Sequence, residues 1–412
     1  MSSSSALAPA TEAFSQTPAN GQCVNFSPYV AGYDPDTGPH PPPAVIDELL
    51  DLLVARTGTR CIVSYGVLNG LDHTIVAANQ RGLSVIEIIY LDTDLAVNTA
   101  SVAAGSLLAR QYPQTVTRVS CGSEVAVRHG LASADPIVAS CVNQLRSDGV
   151  VQPITSIDTW WEWCNEQWPC QVRGLASSLD WIGVNVFPWW ENKYSGLFPC
   201  TSAAAAADFN VARLQDVAAR YPAKPTMLTE FGWPAGPNGY TESNQFFPAQ
   251  HCGVASESNQ QLVIAATLAK LNQLGLSGSA FEAFREVWKA SHEGPVGPFW
   301  GFVPHDVFTD EPMVPGTPIR SVHVAELRLR IDLLRIRFGL QPYGWSDPGP
   351  LASLVVRAVH VAQLRSALQA AFSAAAVASP SFADPTLLPG VTAIKAVHVA
   401  ELRAAVLALE QH

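Results

Sequence analysis

Thr226-Met-Leu-Thr-Glu-Phe-Gly-Trp-Pro-Ala-Gly236 is a short apolar run that delivers one acid into a turn built from glycine and proline. Met227 and Leu228 have the character of buried strand, and Gly232, Trp233, Pro234 and Gly236 end it, which predicts Glu230 at the strand's C-terminal tip. In parallel α/β folds the chemistry gathers at those tips. A strand-end acid can equally serve to pair with a neighbouring Arg or Lys, so the reading of Glu230 depends on the rest of the chain.

Outward from this stretch, strand-like runs at 24–26, 62–65, 83–90, 116–120, 152–155, 181–187, 226–230 and 279–284 alternate with helical patterns at 45–56, 74–81, 98–112, 136–146, 172–177, 203–220 and 258–274. Eight strands with seven intervening helices predict an α/β chain folded as a (β/α)8 TIM barrel, although no eighth helix is visible after Phe284. A doubly wound open sheet would show a glycine-rich phosphate turn after its first strand, and Phe26-Ser-Pro-Tyr29 is not one. The sequon Asn25-Phe-Ser27 falls on the first strand and reads as incidental. Residues 1–20 are Ser, Ala, Thr and Pro without periodicity, a disordered tail; 21–312 form the expected barrel.

From about Asp310 the chain turns cysteine-free and Ala/Leu/Val/Arg-rich. Val322-His-Val-Ala-Glu-Leu-Arg328, Val359-His-Val-Ala-Gln-Leu-Arg365 and Val397-His-Val-Ala-Glu-Leu-Arg403 recur with histidines 37 and 38 positions apart. Three copies mean three equivalent units, so 313–412 is read as a small all-α repeat domain. His323 with Glu326 and His398 with Glu401 have the i,i+3 spacing of metal ligands, but the middle copy has Gln363. That points to a structural histidine near each helix start and to no metal site.

The 412 residues carry a net charge of −11 with scattered Lys and Arg, which argues against nucleic acid and against an anionic membrane surface and favours a neutral partner. No apolar stretch approaches the ~18 residues of a membrane span, and Met1-Ser-Ser-Ser-Ser-Ala6 lacks the pattern of a signal peptide. The eight cysteines lie in the first two-thirds of the chain and none forms C-x-x-C. Cys164 and Cys170 flank a loop and Cys200 and Cys252 sit in long connections, which suits disulfides in a secreted, extracellular or periplasmic protein. Of the eleven tryptophans, Trp160, Trp161, Trp163, Trp168, Trp189, Trp190, Trp233, Trp288 and Trp300 follow strands five to eight. Flat rings with one N–H suit sugar faces, and about half of these are expected to be packing under loops.

The best candidate partner for Glu230 is Glu124 in Val119-Ser-Cys-Gly-Ser-Glu-Val125, beyond the fourth strand, the alternative being a loop acid without a role. Strands four and seven face each other across an eight-stranded barrel, so the two carboxyls can converge over its mouth. A separation of ~5 to 5.5 Å would define a retaining glycosidase.

Glu124, Asn185-Val-Phe-Pro-Trp-Trp190, Glu230-Phe-Gly-Trp-Pro234 and Phe281-Glu-Ala-Phe-Arg-Glu-Val-Trp-Lys289 resemble glycoside hydrolase family 17 of bacterial type, over about 22–305. The resemblance implies a (β/α)8 barrel active on β-1,3-glucan, with Glu230 as nucleophile and Glu124 as acid/base, and no cofactor. It implies that Glu282, Glu286 and Lys289 orient the nucleophile and bind sugar hydroxyls, and that Asn185, Tyr29, Tyr65, Ser123, Phe187, Trp189, Trp190 and Trp233 line the cleft. The chain departs from that pattern at Ser123, where Asn usually precedes the acid/base, at Val63 in place of Arg, and at Phe187 in place of Tyr. The expected activity is retaining, endo-type cleavage of β-1,3-glucan. Transglycosylation on the same scaffold and a noncatalytic glucan-binding protein are the rivals, with the repeats contacting cell wall, polysaccharide or the barrel.

Overall fold

The computed structural model describes residues 22–30, 33–303, 308, 310, 313–347, 355–388 and 392–410; the expected tail at 1–20 lies outside them. Eight parallel strands close into a barrel in sequence order, β1 (Cys23–Phe26), β2 (Cys61–Tyr65), β3 (Ser84–Ile89), β4 (Val116–Ser123), β5 (Ile154–Thr159), β6 (Ile182–Asn185), β7 (Thr226–Phe231) and β8 (Gly278–Ala280). Residue pairs Cys23↔Ser279 and Val24↔Ala280 join β1 to β8. Alternation along β3 shows how each strand is dressed: Ile86 and Ile88 fill the barrel interior with Val63, Ile157 and Met227, whereas Val85 and Ile89 face the helical wall. The wall helices include Pro43–Thr57, His73–Gln80, Leu95–Gln111, Leu131–Ser147, Ala203–Arg220 and Glu257–Leu274.

Several boundaries differ from the sequence reading. β5 runs to Thr159 rather than ending at 155, and β4 continues to Ser123. The expected helix at 172–177 is a 3₁₀ stretch, Gly174–Ser178, and the segment after β8 is short turns of helix at Val287–Lys289, Ala290–Glu293 and Gly294–Phe299. Ser202 occupies the N-cap of Ala203–Arg220, but its side chain makes no capping bond. All eight cysteines are paired, as Cys23–Cys61, Cys121–Cys141, Cys164–Cys170 and Cys200–Cys252. No described helix is long and apolar enough to cross a membrane.

The repeats build three helices, Ser321–Arg337, Ala358–Ala374 and Ala396–Glu410, each opened by its Val-His-Val-Ala segment. The histidine is the third helical residue and wholly buried. His323, His360 and His398 accept the N-cap backbone N–H of Arg320, Arg357 and Lys395 on Nδ1, and their Nε2 atoms meet Asp310, Asp347 and Asp384 at 3.0, 2.8 and 2.8 Å. Both ring nitrogens are thus used to tie a helix start to the preceding loop, which is the structural role expected of them. The repeat's arginine closes the unit. Arg328 lies over Trp345, Arg365 over Phe382 and Arg403 over Phe308, at 4.9, 4.4 and 4.5 Å from the ring centres. The last helix therefore returns to a residue ahead of the first, and Arg403 also meets Glu326 at 3.2 Å. Phe308 belongs to this apolar core, so its packing begins before the expected boundary at 313. Leu329 and Leu333 seat the module on Ala235 and Phe299 of the barrel.

Glu87, on the outer face of β3, is fully buried against the helix Leu95–Gln111, and neither of its carboxyl oxygens has a hydrogen-bond partner among the described residues. Burial pushes this carboxyl well above the usual range, so the folded protein holds it neutral. A folded-state pKa above the unfolded one gives stability that is complete below the unfolded value and is lost as pH rises toward the folded one. Glu87→Gln should therefore be within about 0.5 kcal/mol of the parent at pH 4 and more stable by about 1–3 kcal/mol at pH 8. Denaturant unfolding at the two pH values checks this, and an equal difference at both would contradict it.

Candidate active site

Five strand ends at the C-terminal mouth of the barrel bring polar side chains into one hydrogen-bonded group. Glu230, on β7, is 5% exposed. Its Oε1 accepts a hydrogen bond from the Tyr65 hydroxyl of β2 at 2.7 Å, and Asn25 Nδ2 of β1 donates to that hydroxyl at 2.7 Å. Asn25 Nδ2 also reaches the Thr229 carbonyl at 3.2 Å. The Thr229 hydroxyl donates to Asn185 Oδ1 of β6 at 2.8 Å, and Asn185 Nδ2 donates to Glu124 Oε1 at 2.9 Å. Joined through Thr229, which offers its carbonyl to one run and its hydroxyl to the other, these hydrogen bonds form a chain from carboxyl to carboxyl. Register shifts in the β6–β7 and β7–β8 pairings at these ends re-aim the side chains inward. A glycine is required at 232, where a Cβ would stand 2.4 Å from the Phe281 carbonyl.

Glu124 is presented by an elbow. It has φ 54° and ψ 34°, a left-handed conformation that costs a non-glycine residue about 1 kcal/mol or more. Gly122 before it has φ 82°, and a side chain there would strike Val125. The elbow is held by the Glu124 N–H donating to the Ile157 carbonyl at 2.7 Å and by Arg128, which donates to the carbonyls of Ser123 and Leu91 at 2.7 and 2.8 Å. Beneath it the buried Asp158 accepts from Ala126 N at 3.3 Å and pairs with Arg173 at 2.9 Å. Burial lifts Asp158 to about 6 against the pull of Arg173.

On the far side of Glu230, the Lys289 ammonium contacts Glu282 and lies 2.9 Å from Glu286, whose other oxygen accepts from the Ser27 hydroxyl. Two carboxyls share this one ammonium. Glu282 is pushed up by burial against the pull of Lys289, while the two acids hold Lys289 above its ordinary value.

Burial raises both central carboxyls. Glu230 reaches about 8 through burial and the Glu124 charge, opposed by the Tyr65 hydroxyl, Lys289 and Asn185. Glu124 rises through burial and the charge of Glu293, opposed by Asn185 and Arg128. Near neutral pH such a pair holds one proton between two sites.

Glu124, Glu230, Asn185, Tyr65, Glu282, Glu286 and Lys289 therefore come together. Tyr29 lies beside Glu286 and shares a 3.0 Å hydrogen bond with His40; burial, with the Glu286 charge, raises its hydroxyl to about 12. Ser123 stands at the elbow with its carbonyl taken by Arg128. Phe187 and Trp190 are partly exposed and meet Trp300 at 5.3 and 5.7 Å between ring centres. Trp189 and Trp233 do not line the cleft as expected. They are buried against each other at 5.4 Å, with the Trp233 N–H spent on the Val254 carbonyl. Of the nine late tryptophans, Trp160, Trp163 and Trp300 are buried too, which makes five packing residues.

Asn25, Ser27, Thr229 and Glu293 are site residues that the sequence reading passes over. Asn25 and Ser27 form the sequon taken as incidental; Asn25 is wholly buried and hydrogen-bonded inward. Glu293 accepts from Trp300 Nε1 at 2.6 Å, and burial raises its carboxyl. Its signal is its place one helical turn beyond Lys289.

The described residues contain no group of three or more His, Cys, Asp or Glu side chains arranged to hold a metal ion.

Comparison with known proteins bears on the family and the fold. The family model of the BtgE/BtgC glycoside hydrolase domain matches residues 23–301. The "probable family 17 glucosidase SCW10" of Saccharomyces cerevisiae is 26% identical over 198 residues, 46% of this chain and 43% of that protein. The "probable beta-glucosidase btgE" of Aspergillus flavus is 22% identical over 238 residues, 57% of this chain and 35% of that protein. The chain thus spans less than half the length of these relatives. A family 17 β-1,3-glucanosyltransferase from Rhizomucor miehei superposes with TM-score 0.51 at 17% identity, over 68% of this chain and 91% of that one. An endo-laminarinase from Formosa does so with TM-score 0.54 at 18% identity, over 68% and 82%. At these identities the two structures establish a shared fold. With the family model spanning well over half of its residues, the chain belongs to the BtgE/BtgC glycoside hydrolase domain family.

Proposed function

We propose that this protein is a retaining glycosidase acting within β-1,3-glucan chains. The observation that carries the reading is the single hydrogen-bond chain that links Glu124 and Glu230 at the mouth of the barrel. Glu230 attacks the anomeric carbon while Glu124 gives its proton to the glycosidic oxygen, so the C–O bond to the leaving sugar breaks as a glycosyl ester forms. Glu124, now ionised, takes a proton from an incoming hydroxyl, which attacks the same carbon and frees Glu230.

Catalysis requires the shared proton on Glu124, and protonating Glu124 removes the charge that, after burial, helps lift Glu230 to about 8. The Tyr65 hydroxyl serves the charged form of Glu230, and the nearby Lys289 favours it electrostatically. Tyr65 thereby supplies the phenolic neighbour, and Lys289 the cationic one, that Phe187 and Val63 do not provide; Val63 instead packs in the barrel interior. A site with its ammonium committed to two carboxyls suits a neutral substrate. The β-1,3 linkage is supported by the laminaritriose held by the Rhizomucor miehei relative. That relative's glucanosyltransferase activity also favours a second reading, in which a sugar hydroxyl replaces water as the acceptor. Four disulfides support maturation in an oxidising compartment and an extracellular site of action.

Glu230→Gln and Glu124→Gln should each lower kcat/KM on laminarin-type glucan by about 10²–10⁴-fold or more. Activity preserved in both would end the proposal. Mass analysis of products from β-1,3-, β-1,4- and mixed-linked oligosaccharides at low and high concentration separates hydrolysis from transfer, because transfer yields products longer than the substrate. Tyr65→Phe removes a charge-assisted hydrogen bond to Glu230, so the acid limb of the pH profile of kcat/KM should move to higher pH with a loss of about 10- to 100-fold near neutrality. An unmoved limb would show that Tyr65 does not stabilise the ionised nucleophile.

A further inference from the structure

Between the barrel and the repeat module lies a cavity of about 650 Å³, in the size range of small-ligand sites. Its barrel wall carries Tyr33 and Trp288, and its module wall carries Arg328, Asp332, Tyr343 and Trp345. Tyr343 and Trp345 lie 4.7 Å apart between ring centres and are fixed by one carboxyl: Asp332 accepts from the Tyr343 backbone N–H and from Trp345 Nε1, both at 2.8 Å. Arg328 is 4% exposed, donates to the Asp347 carbonyl at 2.8 Å, and leaves Nε and Nη2 without acceptors among the described residues; Trp288 Nε1 is likewise unpartnered. A cavity with aromatic side chains on two walls matches the surface of a sugar, whose ring C–H faces stack on flat rings. Asp34 and Asp332 against the single guanidinium of Arg328 disfavour an anion.

The cavity shares a wall with the catalytic mouth. Trp288 is the middle residue of the turn Val287–Lys289, and Lys289 is the cation that binds Glu282 and Glu286. The second repeat has the equivalent groove, lined by Arg365, Gln369 and Phe382, but no barrel wall and no tryptophan–tyrosine pair. The complete set occurs where the module meets the barrel.

We propose that this cavity is a remote subsite for neutral pyranose units of the same polysaccharide chain that the mouth cleaves. The module then lengthens the enzyme's grip on polymer. This inference rests on the glucanase reading of the mouth, and the experiment separates the two. Gln341, exposed at the cavity, is replaced by Trp to fill it, and Phe382→Ala in the second groove is the control. Gln341→Trp should lower kcat/KM on laminarin polymer by about 10-fold while tetra- and pentasaccharides stay within about twofold, and Phe382→Ala should change neither. An unchanged ratio of polymer to short-chain activity in Gln341→Trp would overturn the subsite and leave the catalytic reading standing. A readout free of turnover is retardation of the Glu230→Gln protein in gels containing laminarin. Retardation that falls on adding Gln341→Trp supports the subsite; unchanged retardation, or none in Glu230→Gln itself, overturns it.

Discussion

Two carboxyls, Glu230 buried and Glu124 half-buried, linked by one hydrogen-bonded network, are the constraint on which this barrel's mouth depends. A buried ionised acid is costly unless donors surround it, and here each donor comes from a different strand. β1 supplies Asn25, β2 supplies Tyr65, β6 supplies Asn185 and β7 supplies Thr229 beside the acceptor Glu230. Moving any of these strands relative to its neighbours would leave a carboxyl without its partner. Closure of the barrel and the two register shifts beside β7 therefore serve the site as much as the fold.

A second layer holds the first. The left-handed conformation of Glu124 persists because its N–H is bonded to Ile157 and because Arg128 ties the Ser123 carbonyl of the elbow to the Leu91 carbonyl beyond β3. Arg173, beneath, is shared between Asp158 and Asp135 and lies 5.0 Å from the centre of Trp163. On the opposite wall Glu282 and Glu286 occupy the Lys289 ammonium, which leaves it no free charge for an anionic substrate.

Much of this was legible in the chain itself. Alternation of apolar runs and helical patterns is a local property, so the barrel, Glu230 at a strand tip and the three-unit module could be read from residue order. The histidine repeats could also be read as structural, since Gln363 breaks the ligand spacing. What could not be read depends on contacts far apart in sequence. Trp189 and Trp233 have the composition of sugar platforms, and only the fold shows them covering each other. Asn25 looks like a strand residue in a sequon until Tyr65, forty positions away, is brought beside it. The pairing of Arg403 with Phe308 is equally invisible without the three helices in place.

The central claim is that Glu230 forms the covalent intermediate. The direct measurement is mass mapping of the enzyme after inactivation by a 2-deoxy-2-fluoro β-1,3-glucosyl donor, which slows the second step more than the first. The account predicts one glycosyl adduct, on the peptide that contains Glu230. An adduct on another carboxylate, or turnover that proceeds with inversion at the anomeric carbon and leaves no adduct, would contradict it.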